Sequence, residues 1–541
     1  MLTRGDSRRA ILGGTLGLAG IILFAVLGTG ALLGAGMAGG QSSLLDAYVW
    51  RILRFTLLQA SLSAVLSVAL AIPFARALAR QPQFPGRVWI LRLMAVPLGL
   101  PVIVGALGLI AVWGRNGWAN VMLQHLGLDH PISIYGLSGI LLAHVFFNFP
   151  LAARVFLAAL ERLPAEYWLI ASNLGMRPAS LFRLVEWPEL RKQIPALGGL
   201  VFMLAATSFT LVLLLGGGPA ATTLEVAIYQ ALRFDFDPAR AVSLSLLQVG
   251  VTACLLAILA LLGRQTIAGH TSGRLPSRPD GRPPARRLGD GTIILTGLAF
   301  LALPLASVAG EGLRADLLKL VAEPIFLRAL LTSLVISVPS ALLAVALAWA
   351  ISGARQAILL GRGQPAAMLA YAQALPQLSS LILLIPPTVL GTGWFLAIGP
   401  ARLEPAAPLL IAAINALMAL PFVLGILDPA VAAHRARTGR LAVSLGIGGW
   451  NRLSRVDWPA LRRPLLMAFS FAMALSLGDL GVVALFGSED LVTLPWLLYS
   501  RMGSYRTADA AGLALILAVI CLALAAAGTG TTGIGDRDDR R

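Results

Sequence analysis

A few polar side chains interrupt the apolar stretches of this 541-residue chain, and they are the first candidates for chemistry. Burying such groups is costly unless a partner or a task compensates. His144 and Asn148 lie four residues apart in "LLAHVFFNFPLAAR", a spacing that places both on one face of a helix. Asn415 stands 271 residues beyond His144, in a second apolar stretch. Asp479 is alone among apolar neighbours in "MALSLGDLGVVALFG", and Phe209 occupies the corresponding place in the earlier stretch. For His144, Asn148 and Asn415 two readings stand: a polar lining, or hydrogen bonds that hold helices together. A metal site is not supported, because no carboxylate or second His lies at ligand spacing, and no cofactor is expected. "LGGGP" (Leu215–Pro219) is glycine-rich like a phosphate cradle, but no Lys follows it. A helix end with a flexible exit is expected there. The chain holds only two lysines, Lys192 and Lys319, and neither follows a Gly, so it carries no nucleotide loop of its own.

The elements that carry these residues are membrane helices. The chain is 57% apolar and 12% charged, with a mean hydropathy of +0.82, whereas about 25% charge is usual in a soluble domain. Apolar runs near the roughly 20 residues needed to cross a bilayer recur throughout, without the alternation of a barrel strand. The fold class is therefore an all-α polytopic membrane protein. Twelve helices are expected, near 10–36, 56–79, 90–113, 136–160, 195–217, 240–262, 291–309, 327–352, 368–398, 406–427, 463–487 and 508–528. The first reads as an uncleaved anchor, since its apolar run is longer than a signal peptide needs. Asp479 falls well inside the eleventh of these segments, 463–487. With the N-terminus inside, 31 of the 42 Lys and Arg fall on the cytoplasmic side, which predicts both termini in the cytoplasm. That distribution also accounts for the net charge of +17 without nucleic acid as a partner. Cys254 and Cys521 each sit in an apolar run and read as packing residues.

A Pro-, Gly- and Arg-rich stretch from Gly263 to Gly291 has no apolar face and is expected to be a disordered cytoplasmic linker. The expected organisation is a first transmembrane domain over 1–263, a linker over 264–290 and a second transmembrane domain over 291–541. Six helices on each side make the halves parallel, an architecture suited to a pathway between two bundles. "EWPELRKQ" (Glu186–Gln193) parallels "DWPALRRP" (Asp457–Pro464), and "PVIVG" (Pro101–Gly105) parallels "PTVLG" (Pro387–Gly391). The longest parallel is "LGMRPASLFRLVEWP" (Leu174–Pro188) with "LGIGGWNRLSRVDWP" (Leu445–Pro459), again 271 residues apart. Around the first copy, Leu169, Ile170, Leu174, Leu181 and Leu184 recur at helical spacing. Gly175 would permit a bend between two short helices, and Pro188 would then restart or redirect the chain toward the next span. A helix lying on lipid, with Arg177, Arg183, Arg191 and Lys192 at the headgroups, is the competing reading for a single copy. Two copies at equivalent places favour a shared protein partner.

The pattern of Gly, nine residues, an aliphatic residue, one residue, an apolar residue and Pro resembles the coupling loop of bacterial ABC importer permeases. The resemblance implies that Ala171, Gly175, Val185 and Pro188 form one loop that docks on an ATP-hydrolysing subunit. Ala442, Gly446, Val456 and Pro459 would form the other. The family's Glu falls at Leu169 and Arg440, so that position is lost in both copies. "YGLSGILLAHVFFNFPLAARVFLAALERLP" and "LGGGPAATTLEVAIYQALRFDFDPARA" resemble the fused permeases of thiamine and thiamine-pyrophosphate importers over nearly the whole chain. That resemblance implies a bacterial inner-membrane, multi-pass permease that is not itself an enzyme. Its expected partners are two copies of an ABC ATPase subunit, a periplasmic substrate-binding protein, thiamine or its phosphates, and the lipid bilayer. A ferric-iron importer permease shares the architecture, and an ion-coupled secondary transporter also has parallel halves. If the cargo is thiamine, its thiazolium cation needs compensation in a low-dielectric pore. Asp479 and Phe209 would offer it a charge and a ring. A hydrogen bond from Asp479 to Ser476 or to a neighbouring helix is the alternative.

Overall fold

A computed structural model of the chain describes residues 4–38, 46–115, 117–127, 133–261, 278–281, 283–361, 363–487, 491–504 and 506–530. Its main helices are α1 (Arg4–Ala38), α2 (Ala47–Arg80), α3 (Val102–Trp113), α4 (Leu137–Glu161), α5 (Ala165–Asn173), α6 (Trp187–Ala206) and α7 (Pro238–Leu261). They continue with α8 (Pro284–Arg314), α9 (Pro324–Leu359), α10 (Ala366–Ser380), α11 (Pro387–Ile398), α12 (Pro400–Ser444), α13 (Trp458–Leu477) and α14 (Thr507–Gly530). Among the described residues, eleven helices are long and apolar enough to cross a membrane. The expected span at 195–217 is not one of them. It is α6 followed by the short helix Thr210–Leu215, with a break at 207–209. The first turns of α6 carry Glu189, Arg191 and Lys192, so its apolar part is short. The expected span at 368–398 is likewise two pieces, α10 and α11.

The described residues form two compact units, one made of 1–42, 228–249 and 315–541, the other of 43–227 and 250–314. Each is built around a helix with a small-residue face. In one unit α2 buries Ala60, Ser63, Ala64, Ser67 and Ala71 against α4 and α6. In the other, α9 buries Ser333, Ser337, Ala341, Ala344 and Ala348 against α12 and α13. Without water to drive apolar association inside a bilayer, such faces work by letting backbones approach closely. The repeat persists in detail. Thr56 Oγ1 accepts the Leu224 N–H at 3.1 Å, and Ser333 Oγ accepts the Leu494 N–H at 2.9 Å.

The sequence division at 264–290 does not coincide with these units. Helix α1 packs on α9 and α11, whereas α8 packs on α2 and α3. Glycines make both contacts possible: a Cβ on Gly393 would strike the Gly28 carbonyl, and one on Gly108 would meet the Pro304 carbonyl oxygen at 2.5 Å. Of the expected linker, residues 264–277 and 282 lie outside those described. Its remainder is not the irregular chain its composition predicts. Pro279–Gly281 is a short 3₁₀ turn, and α8 starts at Pro284, before the expected 291. Side chains hold it there: Arg80 bonds Asp290 with Nε at 3.1 Å and Nη2 at 2.5 Å, both residues being buried.

Candidate functional site: the paired motif loops

The repeated motif owes its spacing to one backbone device used twice. Helix α5 buries Trp168 and Ala171 and leaves Leu169, Ile170 and Leu174 more than half exposed. At its end the Gly175 N–H bonds the Ser172 carbonyl and the Met176 N–H bonds the Ala171 carbonyl, both at 3.0 Å. That pairing requires a left-handed residue, and Gly175 has φ +59°. Helix α12 ends in the same way. The Gly446 N–H bonds the Val443 carbonyl at 3.1 Å, the Ile447 N–H bonds the Ala442 carbonyl at 2.9 Å, and Gly446 has φ +67°. Ala171 and Ala442 are thus the acceptors of the closing bond, each with its methyl buried. No atom lies within 4 Å of where a Cβ on either glycine would sit, so the requirement is one of backbone angle and not of space.

Beyond the turn, the chain resumes as the short helices Pro178–Leu181 and Gly449–Arg452. Each runs into one wide turn, Phe182–Glu186 or Leu453–Asp457, where the N–H of Trp187 or Trp458 reaches back five residues to Phe182 or Leu453. Val185 and Val456 lie in these wide turns. Pro188 and Pro459 are the second residues of α6 and α13. Pro188 therefore does not restart the chain, as expected from the sequence. The helix continues through it, because the wide turn in front absorbs the missing N–H. The second limb adds Leu184 to the exposed apolar residues of the first motif, and the second motif exposes Leu441, Leu445, Trp450 and Trp458. Leu181, grouped with them in the sequence, is buried instead.

The intramembrane candidates separate into two kinds. His144 and Asn148 are buried on one face of α4, and His144 Nδ1 lies 2.9 Å from Ser63 Oγ on α2. Asn415, its counterpart on α12, donates from Nδ2 to Ser476 Oγ on α13 at 3.1 Å. Equivalent positions thus tie different pairs of helices together. Asp479 is not well inside a helix, as the apolar run suggests. It stands in the break between α13 and the helix Gly481–Phe486, where its Oδ1 accepts the Gly481 N–H at 3.1 Å. Asn415 and the N–H groups of Val482 and Val483 face the carboxylate, while Oδ2 has no hydrogen-bond partner. Phe209 lies in the matching break of the first half with its ring buried, but it directly precedes Thr210–Leu215 as Leu480 precedes Gly481–Phe486. The place of Asp479 therefore falls on Ser208 and not, as expected, on Phe209.

A family described as "Binding-protein-dependent transport system inner membrane component" matches residues 68–267. The thiamine transport system permease protein ThiP of Brucella abortus (strain 2308) is 49% identical over 515 residues, covering 93% of this chain and 92% of its own length. ThiP of Escherichia coli (strain K12) is 45% identical over 486 residues, 88% of each chain. ThiP of Haemophilus influenzae is 37% identical over 519 residues, 94% of each. The chain belongs to the thiamine transport system permease family. It is a multi-pass inner-membrane component of a binding-protein-dependent ABC importer, a translocation subunit.

In this permease the acidic residue of each motif is locked by charges that no local pattern announces. Glu186 is fully buried and pairs with Arg76 Nε at 2.6 Å and with Arg278 Nη2 at 2.5 Å. Burial pulls the Arg278 guanidinium down, but its bonds to Asp280 and Glu186 outweigh that and hold it above the ordinary arginine value. Asp457 instead accepts from His434 Nε2 at 2.8 Å, with Arg452 Nε at 3.5 Å. Arg76, Arg278 and His434 were invisible as site residues in the sequence, because their partners lie from 23 to 110 residues away.

Proposed function

We propose that this permease moves thiamine and its phosphates from a periplasmic binding protein to the cytoplasm, with two ATPase subunits docked on its two motif loops. The observation that carries the reading is the pair of glycine-closed turns. Each presents several exposed large apolar side chains on a rigid, ion-paired frame, and such patches mark protein contact surfaces. Docking residues would be Ala171, Gly175, Val185 and Pro188 on one loop and Ala442, Gly446, Val456 and Pro459 on the other. The distribution of Lys and Arg supports cytoplasmic loops and cytoplasmic termini. The repeat halves, 1–263 and 291–541 joined by 264–290, would each supply one docking loop. ATP hydrolysis belongs to the separate subunits, in keeping with the missing nucleotide loop.

Thiamine as cargo follows the names of the relatives and suits one local feature. Asp479 keeps a free carboxylate oxygen in a helix break, and Phe209 fills the equivalent break. A carboxylate or an aromatic ring facing a pathway would lower the cost of moving a thiazolium cation. His144 and Asn415 act as ties between helices, and Asn148 shares the His144 face. The test is reconstitution in vesicles with the ATPase subunit and the binding protein. Thiamine or its phosphates, delivered by the binding protein, should stimulate hydrolysis and accumulate inside. Stimulation by ferric iron alone would overturn the cargo, and uptake without ATP would overturn the class.

A further inference from the structure

The two motif loops face the same mechanical problem and solve it with different parts. Each is a bent element with one limb before its glycine and one after. Force applied at the bend reaches the membrane helices only if the limbs move together. In the second motif the chain bridges its own limbs: His434 on α12 bonds Asp457 in the wide turn. The residue at the place of His434 in the first motif is Leu163, which offers no such bond. A side chain from another part of the sequence fills the gap. Arg278, 2% exposed, donates to Glu186 in the second limb and lays its guanidinium 3.8 Å over the ring of Trp168 in the first.

Arg278 is itself firmly held. Asp280 accepts from its Nε at 3.1 Å and its Nη2 at 2.8 Å, fixing the plane of the fork. The Gly281 carbonyl accepts from Gln81 at 3.0 Å, and a Cβ on Gly281 would meet the Arg80 carbonyl oxygen at 2.5 Å. Seven residues into α8, Asp290 takes Arg80 and Gln81. The segment is thus anchored to the end of α2 on one side and holds the motif on the other. An arginine suits the task, because only a planar fork can stack on a ring and pair with two carboxylates at once.

We propose that Arg278 is a positioning residue of the first docking loop: the segment Arg278–Gly281 clamps the limbs on either side of Gly175 and so sets the surface that the ATPase meets. The proposal rests on the coupling role given to that loop above. Asp6 at the start of α1 provides a comparison, since its carboxylate oxygens accept the Gly449 N–H of the second motif at 3.1 and 3.2 Å.

Hydrogen exchange on the full-length permease in nanodiscs, with and without its ATPase subunit, tests this directly. Arg278→Ala should speed amide exchange across 165–187 about tenfold, a limited effect because Arg76 still holds Glu186. Exchange across 436–458 should stay unchanged, and the affinity for the ATPase subunit should fall about tenfold. Asp6→Ala should act in the opposite sense, loosening the peptide around Gly449 and sparing 165–187. Arg278→Lys should recover part of the loss, since it keeps the charge but not the fork. Equal loosening of both loops, or no loosening at 165–187, overturns the clamp. If Arg278→Ala does not insert, Asp280→Ala frees the fork without removing the charge and should give a smaller rise in the same peptides; no rise overturns the proposal. Failure of the wild-type chain to bind any ATPase subunit would instead strike the coupling role, leaving the exchange result to judge the clamp.

Discussion

Replacing the two motif glycines isolates the backbone angle as the source of their importance. Gly175 and Gly446 sit at φ +59° and +67° with no atom within 4 Å of a prospective Cβ. A side chain therefore meets no steric obstacle, only the cost of the left-handed conformation, roughly 1–2 kcal/mol for an L-residue. That corresponds to a factor of about 5 to 30 in the population of the closed turn. Ala should lie near the lower figure, and Val, whose branched Cβ is worse suited to positive φ, at or above the upper one. Asn tolerates the left-handed region and should remain close to wild type. The assay is the affinity of the purified full-length permease for its ATPase subunit, followed by thiamine uptake in vesicles. The order Asn, Ala, Val, from mildest to most severe, should hold at both glycines, with unequal absolute effects because the two loops are braced differently. Asn as damaging as Val would mean that the partner, not the angle, demands glycine. Full transport by the Gly175→Val, Gly446→Val double variant would remove the motif from coupling altogether.

The remaining predictions address the pathway, the helix ties and the topology. Asp479→Asn should leave assembly and ATPase docking intact while slowing thiamine uptake about tenfold, near 1.4 kcal/mol in barrier; an unchanged rate would make Asp479 structural. Ser63→Ala removes the partner of His144 Nδ1 and should lower the stability of the purified permease by about 1 kcal/mol in a denaturation series, with little change in uptake. Lost uptake at unchanged stability would move His144 into the pathway. Cysteines at the exposed Ser172 and Ser444 should react with an impermeant reagent only after cells are opened; labelling of the two from opposite sides would make the repeat inverted. Gly281, although also expected to face the cytoplasm, is a poor reporter because a side chain there meets the Arg80 carbonyl.

What the amino-acid order determined by itself is whatever depends on near neighbours and on the surrounding solvent. Apolar length made the chain helical and membrane-spanning, since a bilayer core leaves backbone groups no partner outside a helix. The four-residue step from Ala171 to Gly175, repeated from Ala442 to Gly446, encodes a turn whose bonds close within six residues. Tertiary structure decided what depends on distant partners. Nothing local distinguishes α1 as a helix that packs on α9, or α8 as one that packs on α2, because one apolar face looks like another until shapes meet. The break at Asp479 was hidden for the same reason: its apolar flanks read as one span, and the cap on the Gly481 N–H appears only in three dimensions. Arg278 is the clearest case. Its Pro-, Gly- and Arg-rich surroundings have the composition of solvated chain, yet it is buried against Trp168 and Glu186. A charge can be buried only where the opposite charge and a fitting surface already wait, and here they are supplied by residues about a hundred positions earlier.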